Sequence, residues 1–141
     1  EMKSENALLE NAEYCGNCYG TPRAPIESWL KKGYNVFLEI EVQGGAQVRK
    51  LLPDSIGIFI LPPSVQELGN RLRGRKTESE DAIQKRLNTA KREIQQAAQY
   101  DYVVVNDTVE KAAAQVAEII SSEKYKTSRN SALIERVLNN D

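Results

Sequence analysis

Three short runs of apolar and β-branched residues set the plan of this chain. They lie at residues 34–41 (Y-N-V-F-L-E-I-E), 55–61 (S-I-G-I-F-I-L) and 102–106 (Y-V-V-V-N), with helix-like stretches between them. Apolar runs of this length, with little alternation, predict strands buried on both faces. Strands that alternate with helices predict an α/β fold, a parallel sheet with helices on both faces. Three strands make a thin sheet, so part of it is expected to lie outside this chain.

The intervening segments carry their own start and stop signals. Residues 24–32 read as a helix with Pro25 near its start and Gly33 at its end, the usual asymmetry of these two residues. Residues 44–52 form a short helix stopped by Pro53. Ser64 with Glu67 makes a capping box for a helix running towards Arg73. Residues 74–77 break it, residues 78–99 form a long and very polar helix, and residues 109–125 form an amphipathic one. Residues 1–13 read as helix-like and residues 14–21 as a turn-rich or short-strand segment. Residues 127–141 read as a loosely held tail with a helical turn near 132–138. There is no internal repeat and no low-complexity linker.

A chain of 141 residues can bury one real core. Its 40% hydrophobic and 28% charged content is that of a soluble globular domain. The net charge of −1 excludes a chain-wide electrostatic attraction to nucleic acid. No apolar run approaches the roughly 20 residues needed to cross a bilayer, and the start does not read as a signal peptide. The expected location is the cytoplasm, with no membrane partner. The charge is uneven: residues 70–92 hold eight basic side chains against three acidic ones, and residues 1–41 hold four basic against seven acidic. A ligand held between an acidic and a basic part would explain this; solvated helix faces would explain much of it too. Cys15 and Cys18 are spaced C-x-x-C, but without histidine or a second pair they cannot complete a tetrahedral zinc site. Reduced structural thiols are expected, with a redox pair as the alternative.

Residues 10–21 (E-N-A-E-Y-C-G-N-C-Y-G-T) gather what a small polar ring-shaped ligand needs. A carboxylate can accept two N–H groups from one ring edge, a hydroxyl can serve a ring oxygen, and a phenol can reach a phosphate. The glycines let the backbone come close. Glu39 and Glu41 close the first apolar run two residues apart, on one side of a strand. Acids at the carboxyl end of a parallel strand lie where α/β proteins bind ligands, and can hold Mg²⁺ directly or through water; the alternative is a pair of surface acids. Arg71 and Arg75 share a helix face beside the Gly74 break, and Arg86 lies on the next helix. Guanidinium forks suit a lid that closes on phosphates, or simply a solubilising surface. Asn106 follows the last apolar run, where it can bond a base or cap a helix. No G-x-x-x-x-G-K-[S/T] phosphate loop is present in the sequence.

Taken together these segments resemble guanylate kinase. The matching stretches are E-N-A-E-Y-C-G-N-C-Y-G-T-P-R from Glu10, F-L-E-I-E-V-Q-G from Phe37, I-L-P-P-S from Ile60, R-L-R-G-R from Arg71, T-E-S-E from Thr77, K-R-L from Lys85 and V-V-N-D from Val104. Their order holds from about residue 5 to 125. The resemblance implies a P-loop nucleoside monophosphate kinase-like fold with part of a GMP-binding subdomain and a helical lid. It divides the chain into a partial GMP-binding subdomain (1–33), core (34–69), lid and flanking helix (70–100), core (101–126) and tail (127–141). It implies Mg²⁺-dependent phosphoryl transfer from ATP to GMP, giving ADP and GDP. By the same resemblance Glu10 accepts from the guanine N–H groups, Thr21 donates to the guanine carbonyl oxygen and Tyr19 reaches the GMP phosphate. Glu41 borders the GMP pocket and Glu39 lies near Mg²⁺, through water. Arg71, Arg75 and Arg86 stabilise charge on the transferred group, with Arg71, Arg75 and Asn106 on the ATP side.

The chain departs from that family in three ways. Cys18 replaces a common second aromatic residue, and Glu39 and Glu41 replace a D-x-D pair. The phosphate loop, the first strand and an arginine-bearing GMP-gripping segment are missing. The expectation is therefore a piece of a kinase, inactive as this chain alone. The alternative is a noncatalytic guanylate-kinase-like module that binds a phosphorylated peptide. Homodimer formation is left open.

Overall fold

The computed structural model describes residues 8–14 and 17–140, with the backbone alone for residues 11–14 and 17–19. The expectations for residues 1–7, for the Cys15 thiol and for the Cys18 and Tyr19 side chains lie outside the described residues. The chain divides into two compact units, Glu1–Gly57 with Ala98–Asp101, and Ile58–Ala97 with Tyr102–Asp141.

The first unit opens on an antiparallel hairpin, β1 (Leu8–Tyr14) and β2 (Asn17–Pro22). Its register sets Glu10 opposite Thr21 and Ala12 opposite Tyr19, with an irregularity between Leu8 and Glu10. Leu9 is almost wholly buried there. The helix expected up to residue 13 is thus a strand from Leu8. A neighbouring strand pairs backbone groups all along one edge of so short a segment, whereas a turn or two of helix leaves most of its groups unpaired.

Helix α1 (Arg23–Lys31) ends as its glycine requires. The Gly33 N–H donates to Leu30 O at 3.0 Å and the Tyr34 N–H to Trp29 O at 3.2 Å, the paired bonds of a Schellman cap. Gly33 has a φ of 84°, a left-handed conformation that costs a glycine nothing. The accompanying apolar contact is the edge-on packing of Tyr34 against Trp29, with ring centroids 5.1 Å apart.

Residues 34–41 do not form the expected strand. Phe37 is 68% exposed and no described strand lies alongside. A strand exists only as a ladder with a neighbour, so apolar composition alone does not make one. The argument that Glu39 and Glu41 share a strand face fails with it. Glu41 instead caps α2 (Val42–Leu51), accepting from Gln43 N–H at 2.8 Å and Gly44 N–H at 2.6 Å. Helix α2 packs on β1. Asp101 returns to this unit, its carboxylate accepting from the Gly57 N–H at 2.8 Å and its own N–H donating to Gly57 O at 2.9 Å.

The second unit holds the parallel pair β3 (Ile58–Leu61) and β4 (Tyr102–Val105), with Ile58 beside Tyr102 and Leu61 beside Val105. Parallel neighbours need a long crossover, which runs through α3 (Val65–Gly74) and α4 (Glu80–Gln95). Helix α5 (Val109–Glu123) follows and packs on β4. This is the α/β class expected from the alternation. Val104 is buried while Val103 and Val105 are exposed, because alternate residues of a strand face opposite ways and α5 packs on one face. Ser64, Ser79 and Thr108 cap α3, α4 and α5 through their hydroxyls. The polar α4 still buries Ile83 and Leu87, and packs against Gly69 of α3.

The tail is better anchored than expected. The Glu123 carboxylate, 5% exposed, accepts a short hydrogen bond from the Tyr102 hydroxyl and one of 3.1 Å from Arg129 Nε. These bonds, the phenol's first, hold Glu123 below the usual carboxylate range. Asn130 Nδ2 donates to the Lys124 and Lys126 carbonyls, each at 2.8 Å, and α6 (Ser131–Leu138) follows. Among the described residues no helix is long and apolar enough to cross a membrane.

Candidate active site

The chemistry-bearing residues form two groups, one in each unit. In the first, strand β1 carries Glu10 inward beside the buried Leu9, so its carboxylate is only 5% exposed. Thr21, its ladder partner on β2, donates from Oγ1 to Glu10 Oε1 at 2.6 Å. Gly44, in the first turn of α2, lies against the same carboxylate, with a Glu41 oxygen close to the same face. Two carboxylates thus converge on one glycine, and one of them carries a hydroxyl already aligned on it. A buried carboxylate of this kind recognises paired N–H donors, because leaving it unpaired is costly.

The structure therefore brings Glu10, Thr21 and Glu41 together. The Thr21 hydroxyl is directed at Glu10, where the sequence reading assigned it to a ligand carbonyl. Both Glu41 oxygens are committed to the α2 N-terminus. Glu39 is exposed and joins no described ion pair. The backbone of Tyr19 lies in β2.

In the second group, the spacing that puts Arg71 and Arg75 on one face holds only to the end of α3, because Arg75 is already its C-cap residue. Arg71 is fully engaged. Its Nε donates to Glu67 Oε1 at 3.1 Å, Nη1 to Asn106 O at 2.9 Å and Nη2 to Asp107 O at 3.2 Å. Arg75 is exposed and has no ion pair among the described residues. Arg86 pairs with Glu78 at 2.7 Å, and the second Glu78 oxygen is buried without a partner. Arg73 forks onto Glu80 across the break between α3 and α4, with contacts of 2.9 to 3.3 Å. That hydrogen bonding raises the Arg73 pKa and lowers that of Glu80. Lys76 sits in the break with a φ of 54°, a conformation disfavoured for a residue with a side chain.

Sequence reasoning missed the arginine partners Glu67 and Glu78. The i, i+4 spacing of Glu67 and Arg71 was a legible signal; the Glu78 contact had none as clear. Nor did sequence reasoning identify Gly44 as the neighbour of Glu10. Among the described residues no group of three or more acidic or cysteine side chains could hold a metal ion by itself. Mg²⁺ sites need fewer, since one or two carboxylates commonly share the ion with substrate phosphates.

Comparison with known proteins gives one consistent result. The family model described as guanylate kinase matches residues 1–123. The chain is 50% identical over 125 residues to the guanylate kinase of Listeria innocua, covering 89% of this chain and 61% of that protein. It is 47% identical over 137 residues to the guanylate kinase of Thermus thermophilus, covering 97% of this chain and 62% of that protein. The crystal structure of guanylate kinase from Anaplasma phagocytophilum superimposes with a TM-score of 0.77 at 34% identity, over 95% of this chain and 65% of that one. The chain thus spans about three fifths of the length of these curated relatives.

Proposed function

The chain belongs to the guanylate kinase family, and from that premise we propose that it supplies the guanine-reading site and the lid arginines for phosphoryl transfer from ATP to GMP, giving ADP and GDP. The observation that carries this reading is the buried Glu10 carboxylate with Thr21 aligned on it at 2.6 Å. Guanine presents N1–H and the 2-amino group on one edge, two donors at the spacing of two carboxylate oxygens. Adenine presents a ring acceptor where guanine has N1–H, so it leaves the carboxylate unpaired and is rejected.

Each residue then has a defined task. Glu10 orients the base. Thr21 holds one Glu10 oxygen in the free protein, and turning its single hydroxyl proton from Glu10 to the guanine carbonyl would serve the ligand and free that oxygen for the base. Tyr19 reaches the GMP phosphate. Glu41 holds α2 against the pocket as its N-cap. Arg75 and Arg86 offset the charge of the transferring group, Arg86 exchanging Glu78 for phosphate oxygens. Arg71 and Asn106, with Arg75, serve the ATP side, and residues 70–100 supply the lid and its flanking helix. Glu39 would help to hold Mg²⁺ through water, and the ion would supply further neutralisation of phosphate charge. The exposure of Glu39 suits that outer-sphere part.

The test is a coupled assay of ADP formation in the full-length protein, with GMP, AMP or no acceptor. The reading requires GMP-dependent turnover that falls by about 10²-fold in kcat/KM when Glu10 is replaced by Gln, the worth of one or two charge-assisted hydrogen bonds. GMP binding without turnover would favour a binding module, and equal use of AMP would overturn the assignment of Glu10.

A further inference from the structure

We propose that Gly44 is a specificity-determining residue of the guanine site, because it alone leaves room for the Glu10 carboxylate to face the base. The inference rests on the guanine-reading role proposed for Glu10. It concerns a residue that touches the carboxylate rather than the ligand, so Gly44 acts by positioning.

Gly44 is buried in the first turn of α2. A β-carbon on it would fall directly onto the Glu10 carboxylate, colliding with Oε2 and standing 3.0 Å from the carboxyl carbon, with Glu41 Oε1 at 3.2 Å. Giving way costs Glu10 a contact it already holds. Its backbone is set in the ladder opposite Thr21 and its Oε1 accepts the 2.6 Å hydrogen bond from the Thr21 hydroxyl. Oε2 lies against the bare face of Gly44.

The helix turn is fixed as well. Glu41 accepts from the Gly44 N–H at 2.6 Å, which ties the turn down at its start. The next residue, Gly45, lies against Tyr100, whose hydroxyl would be 2.6 Å from a β-carbon there. The turn therefore has Glu10 against one glycine and Tyr100 against the next. Adding a methyl group at Gly44 must rotate or displace Glu10, the element with a rotatable side chain.

Two features separate this role from a structural one. Gly44 lies in a helix and has no left-handed backbone to preserve. Alanine is also the better helix former, so Gly44→Ala does not weaken α2 through its backbone. Its cost falls on the carboxylate.

The experiment compares GMP with inosine monophosphate in the full-length protein. The two ligands differ by the 2-amino group, so their kcat/KM ratio reads whether both carboxylate oxygens are presented correctly. Wild type is expected to favour GMP, and Gly44→Ala to lower that ratio by about tenfold or more, the loss of one hydrogen bond to a charged group. In a Glu10→Asp background, where the side chain is one methylene shorter, Gly44→Ala is expected to cost at most about twofold. An unchanged ratio in Gly44→Ala, an equal loss for both ligands, or an equal cost in both backgrounds would overturn the proposal. If Gly44→Ala alone does not fold, recovery of the fold on adding Glu10→Asp supports the steric conflict and failure to recover overturns it. A wild-type protein that does not distinguish the two ligands would remove the guanine-reading role itself. Discrimination in wild type with no effect of Gly44→Ala would remove only this inference.

Discussion

Arg71 and Asn106 are joined through the main chain: Nη1 of the arginine donates to the asparagine carbonyl at 2.9 Å. Nη2 bonds the next carbonyl, that of Asp107, at 3.2 Å, while Nε is held by Glu67 at 3.1 Å. A planar fork that meets two successive carbonyls fixes the chain leaving β4. It ties the end of α3 to the point from which Asn106 projects. Of the three arginines identified in the sequence, Arg71 is thus the one most engaged in holding structure, while Arg75 is exposed and has no ion pair among the described residues.

Replacing Arg71 by lysine keeps the charge but cannot satisfy both carbonyls and Glu67 together. Loss of these half-exposed bonds should cost about 1 kcal/mol, or about 4 °C in Tm. Within the proposed reaction the KM for ATP should rise while the KM for GMP stays put. A thermal melt with two-substrate kinetics checks this; unchanged ATP dependence would separate Arg71 from the nucleotide site.

Arg75→Ala removes a charge without a described partner, so stability should hardly change. Turnover should fall by about 10²-fold to 10³-fold, the usual cost of deleting one group that stabilises developing charge. GMP binding measured by calorimetry should be spared. Arg73→Ala is the control, since Arg73 is spent on an exposed pair with Glu80 at 2.9 Å, and such pairs contribute little. Equal turnover losses in the two variants would contradict the proposed division of labour.

Local chemistry made much of this legible. The Ser64 cap, the break after Gly74 and the end of α1 at Gly33 are each set by residues close in sequence, and the strands at 58–61 and 102–105 showed in their apolar runs, though their pairing is long-range. The strand at Leu8–Tyr14 and the irregular path of residues 34–41 were not legible. Both depend on whether a neighbouring strand is present, which no local pattern records. At the site, Glu10 and Thr21 were identified by residue type. Their 2.6 Å contact depends on hairpin register, and so does the position of Gly44 beside them.

Gly33 offers a clean test of backbone conformation. Among the described residues, no atom beyond its two chain neighbours lies within 4 Å of where its β-carbon would be, so Gly33→Ala introduces no clash with them. Its φ of 84° must still be maintained to keep the bonds to Leu30 and Trp29. The cost should be about 1–2 kcal/mol from the left-handed conformation alone, and less for Gly33→Asn. Urea unfolding reads both. A neutral alanine would mean that the Schellman cap and the Trp29–Tyr34 contact add nothing to stability.

Glu123 makes stability depend on acidity in a defined direction. Its folded-state pKa is lowered, first by the Tyr102 hydroxyl and then by Arg129. Its stabilisation is therefore fully present above the unfolded carboxyl value of about 4.3. It fades as pH falls through the lower folded value, because protonation then favours the unfolded chain. Glu123→Gln keeps the shape but loses the charge that draws Arg129, so at pH 7 its Tm should lie below that of wild type. As the pH is taken below about 4.3, the gap should narrow, since wild type loses what the variant never had. Melts followed by circular dichroism across that range decide it. A gap that stayed constant would mean that Glu123 holds Tyr102 and Arg129 by packing rather than by its charge.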